Sequence, residues 1–241
     1  VSLQNISQSE DGHHISYLSV DPTTTSYTRQ DGTDYSVHTL TLADRSTRLL
    51  KSESNSRLDI TWNDAGNAFA FSEDGDVFVQ SIEDDEALNL TSDDRDNDAD
   101  DHHTAAGDST QATYSFVRWR PDGDAILASS KEGYHLIDAS SGDNELVLPL
   151  PESDSTAPRQ QPVSWSSDGR TLLMTYSARD EWERGLVRYD LESRRTRDLI
   201  KDNGLYSNWR FSETGERVFY AFSNGDMPNN LFVADPDFDD T

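Results

Sequence analysis

The sequence predicts an all-β fold, a β-propeller of four-stranded blades with about five blades present. Three observations predict it. An aromatic residue followed by an acidic, glycine-ended turn returns along the chain, as Trp62-Asn63-Asp64-Ala65-Gly66, Trp119-Arg120-Pro121-Asp122-Gly123 and Trp165-Ser166-Ser167-Asp168-Gly169, with weaker copies at Phe211-Ser212-Glu213-Thr214-Gly215 and Gln8-Ser9-Glu10-Asp11-Gly12. The five glycines stand 54, 57, 46 and 46 residues apart. Alternating apolar segments flank the turns, so the repeating unit is made of strands. A unit of this length and kind is one propeller blade, which becomes stable only by stacking on its neighbours.

The elements of a blade follow in order. The inner strand ends in the aromatic, as in Phe116-Val117-Arg118-Trp119. The turn glycine is expected at positive φ, where a Cβ is penalised. The second strand carries apolar residues three and five positions past the glycine: Ile15 and Tyr17, Phe69 and Phe71, Ile126 and Ala128, Leu172 and Met174, Val218 and Tyr220. A spacing of two places each pair on one face. The third strand tends to close with Asp, as at Asp138, Asp190 and Asp235. The fourth is expected to be short and polar, such as Leu88-Asn89-Leu90-Thr91 or Arg197-Asp198-Leu199-Ile200. The blades fall at about 1–54, 55–92, 114–150, 161–203 and 204–241, in a single domain spanning 1–241 without linkers. The last blade shows three strands, so an arc with exposed ends is expected rather than a closed ring. Trp62, Trp119, Trp165 and Phe211 read as packing between blades.

Composition narrows the function classes. The 46 acidic residues outnumber 20 basic ones for a net charge of −26, and 33 of the acids are Asp while only three bases are Lys. The acids run through every repeat, which reads as a salt-adapted surface whose self-repulsion is screened by dissolved ions. The other reading is an acidic surface for a cationic partner. Nucleic acid is disfavoured, since it wants a basic stripe. No apolar run approaches a membrane span. The absence of cysteine excludes disulfides, zinc-thiolate sites and a cysteine nucleophile. The chain begins at Val1 with no signal peptide, which reads as a processed or truncated start. The compartment is left open between the periplasm or exterior and the cytoplasm of a salt-accumulating organism.

The densest acidic stretch, 93–101, sets Asp96, Asp98 and Asp100 at calcium-loop spacing, but Asp101 and Gly107 stand where that loop needs glycine and glutamate. It reads as a solvated loop. The side chains of the adjacent pairs His13-His14 and His102-His103 diverge on an extended chain, so no metal site is read there, and no cofactor elsewhere. No serine elbow or phosphate-cradling loop is present, so no catalytic residue is assigned.

The repeat resembles the aromatic-Ser-Pro-Asp-Gly blades of Tol-system periplasmic propellers and of the propeller domain of prolyl oligopeptidase family serine peptidases. Two stretches turn the resemblance toward the peptidases. Tyr176-Ser177-Ala178-Arg179-Asp180-Glu181-Trp182-Glu183-Arg184-Gly185-Leu186-Val187-Arg188-Tyr189-Asp190 is similar to a blade with the charged insertion of bacterial members. Asn229-Asn230-Leu231-Phe232-Val233-Ala234-Asp235 is similar to their third strands. The resemblance covers the whole chain. It implies an incomplete part of a larger propeller of seven or eight blades, and a C-terminal α/β-hydrolase domain carrying a Ser-Asp-His triad that this chain lacks. The implied role is non-catalytic: capping that active site and filtering peptide substrates. The alternative is a stand-alone Tol-type propeller that binds protein partners. A third class, a propeller lyase or glycosidase, needs a cluster of His, Gln or carboxylates at inner-strand positions, and the inner strands carry no His.

Loops of variable length on a rigid scaffold are where binding usually lives. The insertions 21–34, 93–113, 151–161, 179–185 and 224–230 all join second to third strands or one blade to the next, which places them at one end of the blades. Arg179, Trp182 and Arg184 are the candidate residues of a partner or substrate face. Trp182 lies off the repeat grid and either packs or meets a partner.

Overall fold

The computed structural model describes residues 2–20, 35–54, 58–92, 113–152, 156–212 and 216–238. The described residues contain no helix and form five antiparallel sheets. The chain divides into two compact units, Val1–Leu146 and Val147–Thr241.

The first unit holds three sheets, each a meander in chain order. The first blade is β1 (Ser2–Gln8), β2 (His14–Val20), β3 (Tyr35–Thr41) and β4 (Thr47–Ser54). The second is β5 (Thr61–Trp62), β6 (Ala68–Glu73), β7 (Asp76–Ser81) and β8 (Leu88–Asn89). The third is β9 (Ser115–Trp119), β10 (Ala125–Ser129), β11 (Gly133–Asp138) and β12 (Asn144–Pro149), with the division between units falling inside β12.

Gly12, Gly66 and Gly123 close their turns at φ of 72°, 69° and 74°. At Gly66 space adds a second demand. A Cβ there would stand 2.5 Å from the carboxylate of Asp11, the acid of the preceding blade's turn, so neighbouring turns interlock. The tryptophans clip the blades together as expected. Trp62, only 6% exposed, donates its indole N–H to Ser16 Oγ at 3.1 Å and stacks on His14. Trp119 donates to the carbonyl of Thr61 at 2.9 Å.

The two faces of β6 serve two seams. Phe69 and Phe71 pack with Leu18 and Val37 of the first blade, while Ala70 joins Trp119, Ile126 and Ala128 of the third. The same rule corrects one expectation. Ile15 and Tyr17, read as a buried pair, are half-buried, and Ser16 and Leu18 are buried instead. The first blade has no blade before it among the described residues, so its covered face is the one turned to the second.

The second unit continues with β13 (Arg159–Trp165), β14 (Thr171–Ser177), β15 (Arg184–Asp190) and β16 (Arg195–Asp202). A three-stranded sheet follows, β17 (Leu205–Phe211), β18 (Val218–Ser223) and β19 (Asn230–Ala234). Gly169 takes φ 67°, and Gly215 lies outside the described residues. Leu173 and Leu186 pack with Val218, Tyr220, Ala234 and Phe238. Trp165 is buried with its indole N–H unpaired, and Phe211 is half-buried.

The closing aspartates have a local cause. Asp138 accepts from the N–H groups of Ser140 and Ser141 at 2.9 and 2.8 Å, Asp190 from Ser193 at 2.7 Å and Asp235 from Asp237 at 2.9 Å. At Asp138 and Asp190 the carboxylate folds the third-to-fourth turn over itself, and at Asp235 it folds the turn that follows β19. The expectation of short outer strands holds for β8 but not for β16, which runs eight residues and pairs with β15 from Arg184↔Asp202 to Asp190↔Arg195. Its polar sequence reflects an exposed edge, not a short strand.

Candidate functional site

In an antiparallel meander the second-to-third connection lies at the end of the sheet where the inner strand begins, and the fourth strand also finishes there. All five insertions leave from that end of their own sheets. Residues 21–34, 93–112 and 153–155 lie outside the described residues, and with them the calcium-like stretch and His102-His103. Residues 159–161, read as part of an insertion, belong to β13, and Arg184 and Gly185 belong to β15.

In the fourth blade that end carries Arg159, Ser177, Arg184 and Asp202 in one row across the four strands. The Ala178 N–H reaches the Glu183 carbonyl at 2.9 Å and closes the loop between β14 and β15. Trp182 stands on this loop 82% exposed, so of its two readings packing is out. Arg184 is exposed at the start of β15. Arg179 lines a shallow recess of about 200 Å³ with Pro158, Tyr176, Asp180, Glu181 and Glu183. Lys201 Nζ lies 4.7 Å from the centre of the Tyr176 ring and 3.4 Å from Glu183 Oε2. Tyr176 first and Glu183 after it raise the pKa of this lysine. Of the three sequence-chosen residues, Arg179 and Trp182 share this loop and Arg184 begins the strand that leaves it. Their guanidinium groups and indole can hold a carboxylate or an apolar side chain. Among the described residues no group of three His, Cys, Asp or Glu could hold a metal ion.

Sequence reasoning missed the larger feature of this unit. A groove of about 480 Å³ lies between the end of β16 and the fifth blade, lined by Ile200, Asp202, Tyr206, Tyr220, Phe222 and Phe232 among others. Tyr206 Oη donates to Asp202 Oδ2 at 2.6 Å, and the Gly204 N–H donates to Asp202 Oδ1 at 2.7 Å. Burial first, then the Asp202 carboxylate, push the Tyr206 phenol up, so it stays protonated as a donor. Tyr206 also stacks on Trp209 at 5.8 Å and touches Phe222 at 4.9 Å. The outer edge of β19 carries Leu231, 83% exposed, and Val233. The clustering of Tyr206, Trp209, Tyr220, Phe222, Phe232 and Phe238 in one repeat was the available signal, but the repeat template uses only Tyr220 of them.

No family model matches the chain, and no curated protein matches it. Solved structures do. TolB from Acinetobacter baumannii superposes with a TM-score of 0.55 at 16% identity, covering 98% of this chain and 52% of its own. Dipeptidyl peptidase 4 from Porphyromonas gingivalis superposes with a TM-score of 0.63 at 13% identity, covering 98% of this chain and 38% of its own. One of two solved prolyl endopeptidases gives 0.63 at 15% identity, with 97% and 33% covered. The chain thus has the β-propeller fold of TolB-like proteins and of these peptidases. It spans about half of the TolB chain and about a third of the peptidase chains.

Proposed function

We propose that this chain is the non-catalytic propeller part of a serine peptidase of the prolyl oligopeptidase kind, capping an active site on a separate α/β-hydrolase domain and filtering peptide substrates. One observation carries the reading. The peptidases fit the chain with a TM-score of 0.63 against 0.55 for TolB, and they extend well beyond it. The loop bearing Arg179 and Trp182, with Arg184 at the start of β15, is the surface offered to a peptide or to the hydrolase domain. Reading the gene past the codon for Thr241 and assaying the whole product tests this. A hydrolase domain with a serine elbow, cleaving short peptides and sparing folded proteins, is the expected result. A stop codon, with specific capture of a protein partner, would favour a stand-alone Tol-type propeller, the reading supported by the TolB likeness over 98% of the chain.

The acidic surface belongs to the same proposal as an adaptation to salt. With a net charge of −26, the fold should gain structure and thermal midpoint as potassium chloride rises from low ionic strength to molar levels, followed by circular dichroism. A flat midpoint across the series would favour the cationic-partner reading instead.

A further inference from the structure

We propose that the seam between the first and second blades holds a binding site for a small apolar amine. The outer strand β8 is only two residues long, which leaves the outer part of this seam open between β4 and β7. A cavity of about 360 Å³ lies there, walled by Leu50, Leu58, Phe69, Phe71 and Phe78. Phe71 and Phe78 stand parallel, 5.2 Å apart with 7° between their planes. This size and these walls are those of small-molecule pockets.

One polar side chain interrupts the walls. Gln80 is 4% exposed, and its Nε2 donates to the Asp84 carbonyl at 2.9 Å. That bond fixes which end of the amide is which. Gln80 lines the cavity, and its Oε1 accepts from no protein donor among the described residues. Water can reach this acceptor, and a ligand N–H that takes the water's place keeps it satisfied.

Charge selects further. At the rim Lys51 is paired with Glu73, and the nearby Arg48 with Asp85, so both cations are neutralised. Glu86 also lines the mouth and pairs with no cation among the described residues. The whole chain adds a net −26. An ammonium is drawn to this mouth and a carboxylate repelled. The ligand is therefore an amine on an apolar, preferably aromatic body. Its N–H donates to Gln80 Oε1 in the field of Glu86, and its body lies among the phenylalanines.

Calorimetric titration of the chain with phenethylamine, phenethyl alcohol and hydrocinnamate tests the site. The amine should bind about tenfold tighter than the alcohol, and the carboxylate should not bind measurably. Gln80→Leu keeps the volume and removes the acceptor, and it should weaken the amine by about tenfold or more. Glu86→Gln should weaken the amine and leave the alcohol unchanged. If Gln80→Leu fails to fold, Ala87→Phe at the rim fills the mouth and should abolish binding of both with an unchanged circular dichroism spectrum. No saturation by the amine below about 10 mM overturns the proposal. So does an alcohol or carboxylate that binds as tightly as the amine, or amine binding that survives Gln80→Leu or Ala87→Phe intact.

Discussion

The seam between the first two blades and the seam between the last two are built from one repeat yet held differently. In the first, a polar clip is added to packed rings: Trp62 is buried against Phe69, reaches Ser16 with its N–H, and sits beside a turn whose Gly66 fits against Asp11. In the second, the equivalent Phe211 is half-buried and has no N–H to offer. Leu173 and Leu186 of the fourth blade pack instead on Val218, Tyr220 and Phe238 of the fifth, with Trp209 stacked on Tyr220. Arg188 ties that seam by donating to Asp237 at 2.5 Å and to the Pro236 carbonyl at 2.9 Å. The inner-strand aromatic can clip its seam through a hydrogen bond or only help to fill it, and the two designs should fail differently.

The largest expected difference is between the paired substitutions Trp62→Ala and Phe211→Ala. The first should cost about 3–5 kcal/mol in urea unfolding at high salt, the second about 2 kcal/mol, because Phe211 is only half-buried and has no N–H bond to lose. Equal losses would break the comparison. Gly66→Ala comes next, at about 1–3 kcal/mol, from the positive φ and the collision with Asp11. Adding Asp11→Ala should recover the collision part and leave the φ part. No recovery in that double variant would mean the turns do not interlock.

Acid should act on both units together. Serine hydroxyls first, then backbone N–H groups, hold Asp11, Asp44, Asp138, Asp168 and Asp190 below the ordinary carboxylate range. At Asp122 burial works upward, but hydrogen bonds from Arg120 and the Asp124 N–H prevail and hold the carboxyl at about 2. A folded pKa below the unfolded one adds stability that is fully present above the unfolded value. It is lost as pH falls through the folded values. Asp64, raised by burial and then by Asp122, and Asp124, raised by its hydrogen bond with Asp122 and then by burial, have the opposite sign and are outnumbered. The thermal midpoint should therefore drop as pH falls below about 4. A midpoint that rises on acidification would reverse the sign of the whole set. The smallest effect should come from Trp182→Ala, within about 0.5 kcal/mol of wild type, since the ring is 82% exposed. A larger loss would show that the loop supports the fold as well as a ligand.

Much of the architecture was legible because its causes are local. A glycine at positive φ after an acidic bend, a tryptophan closing an inner strand and an aspartate folding a turn each act within a few residues. The choice of buried face at Ile15 and Tyr17 was not legible, because it depends on which neighbour a blade has. The length of β16 was missed for a related reason: a polar edge strand and a loop read alike. Among site residues, Trp182 announced itself by standing off the grid. Gln80 did not, since a glutamine in a strand carries no mark until its amide is seen bonded at one end and bare at the other. The aromatic groove hid because the repeat template accounts for Tyr220 alone and is silent on the rings around it.

The bare rim of β19 bears on how this chain behaves as a colloid. Leu231 and Val233 lie along a strand that has no partner on its outer side among the described residues, which is the geometry through which sheets of different molecules join. Mutual repulsion between copies carrying −26 each is what keeps such rims apart in dilute buffer. Added salt shortens the reach of that repulsion, so on the proposed salt adaptation the ions that would favour the folded chain would also let folded chains approach rim to rim. Solubility and stability would therefore pull toward opposite ends of the salt scale for this chain in isolation.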